Sequence, residues 1–391
     1  MAYCSPTLSP IVSFENTIVP TGGTLDVVGN VNISGALKVP NFKHNVYVIG
    51  GLFDDTGNWV NTYGQTSTWT YGPTTPITPP PSTLGGPTHP TVVLVNNLKR
   101  YGQGFVGADF VARELELPQY AASTLTSHPV GPSLISFAIN GAIVKGNVWN
   151  NSTDAVYNQL TGPGGYDSQV SQLAALLNGR LMDPEDVVLY TLVGGSEITR
   201  ILTSAPIDQP AAIADVISGT LTNLQTLYAL GARRIIFTYT DAATIPLTPS
   251  YIKAEVYSGQ PVIAGSQAIA NAIFDGPNGL ISLISQAVNT AGPMHLLDID
   301  ILATSPLLLR VQSQPDAYGV RTTLSTDVSP VPPPIFPFPT HWDMYTDRGV
   351  NLHSTLYYED VSLTEIMFQS YAQLYLNILR NYVPISQTPL P

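Results

Sequence analysis

Apolar residues in this chain gather in short runs set between polar stretches rich in Gly, Pro, Asn and Thr. The first clear run, Val46-Tyr47-Val48-Ile49, meets Gly50-Gly51 and then the polar group Asp54-Asp55-Thr56-Gly57-Asn58. An unbroken apolar run closed by a glycine turn predicts a buried strand that presents polar side chains at its C-terminal end. Further strands are predicted at 135–142, at 186–198 with its closing turn, at 231–240 and at 295–302. Between them the apolar spacing is helical: from Val106 to a stop at Pro118, over 169–178, 211–230 and 262–291, and in the closing segment from Ile366. Strands alternating with helices predict a layered α/β fold on a parallel sheet. In such sheets sites are built beyond the C-terminal ends of the strands.

The region before the first strand has a different rhythm. Leu25, Val31 and Leu37 recur every six residues, as do Val27, Ile33 and Val39, while Gly29 and Gly35 keep a fixed phase. Alternation with a six-residue glycine period predicts β-structure with one apolar face and regular corners. Three hexads are too few to bury a core, so this face must dock on the chain's own domain or on other copies. The expected division is a β-hexad segment over 1–42 and an α/β domain over 43–391. The latter is interrupted by Pro-rich surface loops at 63–92 and 329–340, where helix is disfavoured.

Composition narrows the function classes. Charged residues make up only 11% of the 391, with net charge −12. Fifteen scattered basic residues argue against a nucleic-acid surface. No apolar run reaches transmembrane length, so membrane insertion is not expected. The single cysteine, Cys4, permits no internal disulfide and no cysteine metal site. No metal or cofactor is expected; the histidines lack ligand spacing, although Asp54, Asp55 and Glu197 together are a conceivable hard-cation set. No signal peptide is visible at the N-terminus. Localisation therefore stays open between an extracellular appendage or virion surface and the cytoplasm. Asn32, Asn150 and Asn151 stand in N-x-S/T sequons.

Several stretches resemble the GDSL (SGNH) esterase and lipase family. Val48, Gly50 and Asp55-Thr56-Gly57-Asn58 fall in step with its first block, V-F-G-D-S-L-S-D-T-G-N. Arg100, Gly104, Val106, Ala112, Leu115, Leu117 and Pro118 match a later segment. Phe137-Ala138 and Gly141-Ala142 resemble its second strand, and Gly194-Gly195 its third block. Leu227-Tyr228 and Leu230-Gly231-Ala232-Arg233-Arg234 repeat the family's L-Y-x-L-G-A-R-R, and Val361, Thr364 and Glu365 match its last block. The resemblance implies a three-layer α/β/α SGNH-type fold. It also implies a site lined by Gly50, Gly51, Asp54, Asp55, Asn58, Gly141, Gly194, Gly195 and Glu197.

The reactive positions depart from the family pattern. Leu52 stands where the nucleophilic serine belongs, Ser196 replaces the oxyanion asparagine, Glu359 the catalytic aspartate and Ser362 the catalytic histidine. Losing nucleophile and base removes a contribution of about 10^6-fold in the best-measured hydrolase. The resulting expectation is a non-catalytic scaffold that self-assembles as a fibre, coat or appendage subunit, with Leu25, Val27, Val31, Ile33, Leu37 and Val39 as contacts. Two rivals stay open. One is an esterase with relocated residues, using His353 as base. The other is a glycan- or lipid-binding module that uses the old cleft.

Overall fold

A computed structural model describes residues 42–63, 106–145, 164–193, 195–248, 251–252, 255, 259–289, 291–314 and 365–381. The hexad positions Leu25, Val27, Val31, Ile33, Leu37 and Val39 lie outside these residues, as do the Pro-rich stretches 64–92 and 329–340.

The centre is a six-stranded sheet in which every pairing is parallel. In chain order the strands are β1 (Val46–Ile49), β2 (Gln119–Ala121), β3 (Leu134–Ser136), β4 (Val187–Leu192), β5 (Arg234–Tyr239) and β6 (Asp298–Ala303). Across the sheet the order is β2-β3-β1-β4-β5-β6. From β1 the chain goes out to the edge strand β2, returns to β3 beside β1, and then crosses over β1 to β4. In open α/β sheets such a reversal is where ligand crevices form, here beside the C-terminal end of β1.

Strand pleating sends alternate residues to opposite faces. Val46 and Val48 join Leu134, Val187, Leu189 and Ile236 on one face. Tyr47 and Ile49 join Ile135, Val188, Tyr190 and Phe237 on the other. Both faces are covered, which is why the central strands are apolar without alternation. The helices are α1 (Asn58–Tyr63), α2 (Gly107–Glu114), α3 (Tyr166–Leu177), α4 (Gly195–Thr203), α5 (Gln209–Ala229), α6 (Val262–Ala270), α7 (Leu280–Val288), α8 (Ser305–Ser313) and α9 (Glu365–Asn381). Apolar residues of α2, α8 and α9 pack on the Val46 face. Those of α3, α4, α5, α6 and α7 pack on the Tyr47 face. The result is three layers, helix on sheet on helix. Among the described residues β6 is an outer strand, and its first residue, Asp298, is exposed.

Several elements depart from expectation for local reasons. The single helix predicted over 262–291 is interrupted. α6 runs into a π-turn, Asn271–Asp275, closed by a 2.7 Å bond from the Gly276 amide to the Asn271 carbonyl. Pro277, which cannot donate, and Gly279 then carry the bend; a Cβ on Gly279 would sit 2.6 Å from the Phe274 carbonyl. α4 and α8 were not foreseen, because each starts directly behind a strand. α8 opens with proline in its first turn, and the Asp241 carboxylate accepts the Ser305 amide at 3.1 Å and the Ser305 hydroxyl. β2 is three residues long, too short to register as a period. β3 ends at Ser136, earlier than predicted, and the chain then turns at Gly141, whose φ of 78° suits glycine.

Candidate functional site

The C-terminal end of β1 gathers one group of the residues singled out from sequence. Gly50 is buried, and both its backbone groups are held by one side chain: its amide donates to Gln169 Oε1 at 2.9 Å, and its carbonyl accepts from Gln169 Nε2 at 2.9 Å. A Cβ on Gly50 would press on Thr191 at 3.2 Å, so glycine lets β1 lie close to β4. Gly51 is half-buried and faces the Tyr166 hydroxyl, which donates to the Thr191 carbonyl at 2.6 Å. Leu52, Phe53 and Asp54 form a short 3-10 turn, with Phe53 edge-on to Phe368 and Tyr371 of α9.

Asp55 and Asn58 fasten this turn to its neighbours. Asp55 accepts from the Gly57 amide and the Asn140 amide, each at 2.9 Å. Asn58 donates to the carbonyls of Ser136 at 2.6 Å and Ala138 at 3.1 Å, and accepts the Ser123 amide at 2.9 Å. Both residues are buried and spend their polar atoms on backbone around β3. Gly141 lies in the same loop.

The residues behind β4 form a second group. Gly195 and Ser196 open α4 and are half-buried; Gly194 lies outside the described residues. Glu197 is buried, accepts the Val144 amide at 2.5 Å and pairs with Arg200 at 2.7 Å. That leaves it committed to tying α4 to the 141–145 loop. Asp54, Asp55 and Glu197 do not form a cation cage. Among the described residues no group of three His, Cys, Asp or Glu side chains could hold a metal ion.

Asp54 is the outlier. It is 0% exposed, and neither carboxylate oxygen makes a hydrogen bond of acceptable geometry. Burial drives its pKa up to about 7, opposed by the nearby Thr191 hydroxyl and Ala108 amide and reinforced by the Asp109 carboxylate. Those two donors lie close enough to favour the charged form without meeting hydrogen-bond geometry. Around it stand hydroxyls that sequence reasoning did not single out. Thr191 Oγ1 is 3.4 Å from Tyr375 Oη, which donates to Tyr371 Oη at 2.8 Å. Both phenols are buried, which holds their pKa values above the usual range. Their one visible signal was the i, i+4 spacing of two tyrosines on an otherwise apolar helix face.

A hydroxyl and an imidazole do meet in this molecule, but at the opposite edge. His44, His128 and His295 precede β1, β3 and β6 respectively, so all three described histidines lie toward the N-terminal ends of the strands. His128 Nε2 is 2.9 Å from the Tyr47 hydroxyl, and its Nδ1 donates to the Pro129 carbonyl at 2.8 Å. The tautomer with the proton on Nδ1 therefore accepts from Tyr47. That hydroxyl also lies 3.4 Å from Asp186, whose carboxylate accepts the Asn45 amide at 2.7 Å. Tyr47 is 1% exposed, so the trio braces the loops that enter the strands rather than meeting a substrate. Glu359, Ser362 and His353 lie outside the described residues. No helix among the described residues is long and apolar enough to cross a membrane.

Comparison with known proteins adds no assignment: no family model matches the chain, and no curated protein gives a significant match.

Proposed function

We propose that this chain is a non-catalytic member of the SGNH-type scaffolds, with a structural, self-assembling role as a fibre, coat or appendage subunit. The observation that carries this reading is the end of β1. Where the GDSL resemblance calls for a nucleophile, the chain has Gly51-Leu52-Phe53. The next side chain able to act on a proton, Asp54, is fully buried. Acyl transfer requires an accessible nucleophile within reach of a base. The described histidines stand at the other edge of the sheet. The strand order β3-β1-β4-β5-β6, with β1 inside and a reversal beside it, is compatible with the SGNH frame.

Assembly is supported by the hexad pattern of residues 25–39 and by the low share of charged residues, 11%. Two experiments test the proposal. Hydrolysis of p-nitrophenyl acetate and butyrate is expected at no more than the buffer rate. Turnover that is abolished by Ser362→Ala or His353→Ala would overturn the reading. Light scattering coupled to size exclusion is expected to give a mass above that of the monomer for the full chain. Val27→Asp with Ile33→Asp should reduce it toward 41.8 kDa. A sharp monomer of the unaltered chain at high concentration would count decisively against assembly.

A further inference from the structure

A carboxylate that is fully removed from water, with no donor in hydrogen-bond geometry, is stabilised by keeping its proton or by a positive charge beside it. Asp54 is in that position: 0% exposed, with both oxygens unbonded. Apart from the nearby Ala108 amide, the polar atoms gathered about it are hydroxyl oxygens. The Thr191 hydroxyl lies beside it and reaches Tyr375 Oη at 3.4 Å; Tyr375 in turn donates to Tyr371 Oη at 2.8 Å. The Thr238 hydroxyl, near both tyrosines, is also fully buried and unbonded. A Cβ on Gly107 would stand 2.8 Å from Asp54 Oδ1 and 3.4 Å from Tyr371 Cδ1, so glycine keeps the approach between them open. Among the described residues, the one charge that perturbs Asp54 is the Asp109 carboxylate, which repels its anionic form.

We propose that Asp54, with the hydroxyls of Thr191, Thr238, Tyr371 and Tyr375, forms a buried site for one alkali cation, Na+ or K+, with a proton as its competitor. One carboxylate and one monovalent cation sum to zero charge in a low-dielectric interior. A divalent ion would leave an uncompensated charge there, and it favours several carboxylate ligands. An oxygen-only set excludes the softer transition metals. The occupied site would join the turn after β1 to β4, β5 and α9, pinning that helix layer at the C-terminal edge of the sheet. This inference stands apart from the proposed assembly role.

The test is thermal unfolding of the full chain at pH 8.5 and pH 5.5 in NaCl, KCl or choline chloride at equal ionic strength, which removes simple screening as a variable. At pH 8.5 the midpoint is expected to rise with Na+ or K+ concentration relative to choline. At pH 5.5, where the proton occupies the carboxyl, the three salts should coincide. Asp54→Asn should abolish the difference at pH 8.5. Should that variant not fold, Tyr375→Phe keeps the ring and is expected to raise the half-saturating cation concentration about tenfold, the worth of one polar contact. Crystals soaked in Rb+ or Tl+ should give an anomalous peak beside Asp54. Identical midpoints in all three salts at pH 8.5, or anomalous peaks only elsewhere, would overturn the site.

Discussion

The Asp54 carboxyl titrates near 4 in an unfolded chain and near 7 in the folded one. Between those values the folded state holds a proton that the unfolded state has released. Its contribution to stability is therefore complete below about pH 4 and is lost as pH rises through about 7. The size of that loss is on the order of a few kcal/mol. In choline-based buffers the urea midpoint is expected to fall between pH 5 and pH 8, and Asp54→Asn should flatten most of the slope. Burial also raises the pKa values of Asp186 and Asp298, so their contributions carry the same sign. Gln169 makes a separate case. Its side chain satisfies the buried amide of Gly50 and shares the Gly50 carbonyl with the Ile139 amide, so Gln169→Ala orphans the amide and leaves the carbonyl one partner. A loss of about 1–3 kcal/mol is expected by chemical denaturation, larger than for removal of an exposed glutamine.

Among the elements, the segment closest to the GDSL pattern shows what the resemblance measures. Gly231 follows α5 at φ 103°; its amide donates to the Tyr228 carbonyl at 3.1 Å, and the Ala232 amide donates to the Leu227 carbonyl at 3.0 Å. This is a Schellman closure with glycine in the left-handed position. Arg233 lies over the Tyr228 ring at 4.4 Å, and Arg234 pairs with Glu185 at 3.0 Å. Every residue of L-Y-x-L-G-A-R-R that matches is thus engaged in ending a helix and starting a strand. Gly231→Ala would place a Cβ 2.9 Å from Met182 backbone atoms. It should cost about 2–4 kcal/mol, read as a lowered melting temperature with an unchanged circular dichroism spectrum. The central strands were legible because each is a largely apolar run, closed by glycine pairs after β1 and β4 and preceded by Gly231 before β5. α4 and α8 were not, because each begins within three residues of the end of a strand and its apolar positions run on from the strand's. The Asp54 cluster was hidden for another reason. It joins residues 54, 191, 371 and 375, which only the tertiary fold brings together.

At the scale of the whole molecule, the sheet separates two kinds of polar chemistry. The C-terminal edge carries the glycine turn, the Asp55 and Asn58 anchors and the buried carboxyl; the N-terminal edge carries the described histidines and the Tyr47–Asp186 brace. A hydrolase needs nucleophile and base at one edge, and the absence of ester turnover is the corresponding expectation for the intact protein. The outer strand β6 bears on the question of growth. Asp298 and Asp300 stand two residues apart on it, so they share one side of the strand. Acidic side chains on a border strand discourage a stranger's backbone from zipping alongside. Replacing both, Asp298→Val with Asp300→Val, should increase turbidity on storage, followed by static light scattering. A border guarded in this way is a poor seam for a filament, so subunits that polymerise are expected to meet away from β6.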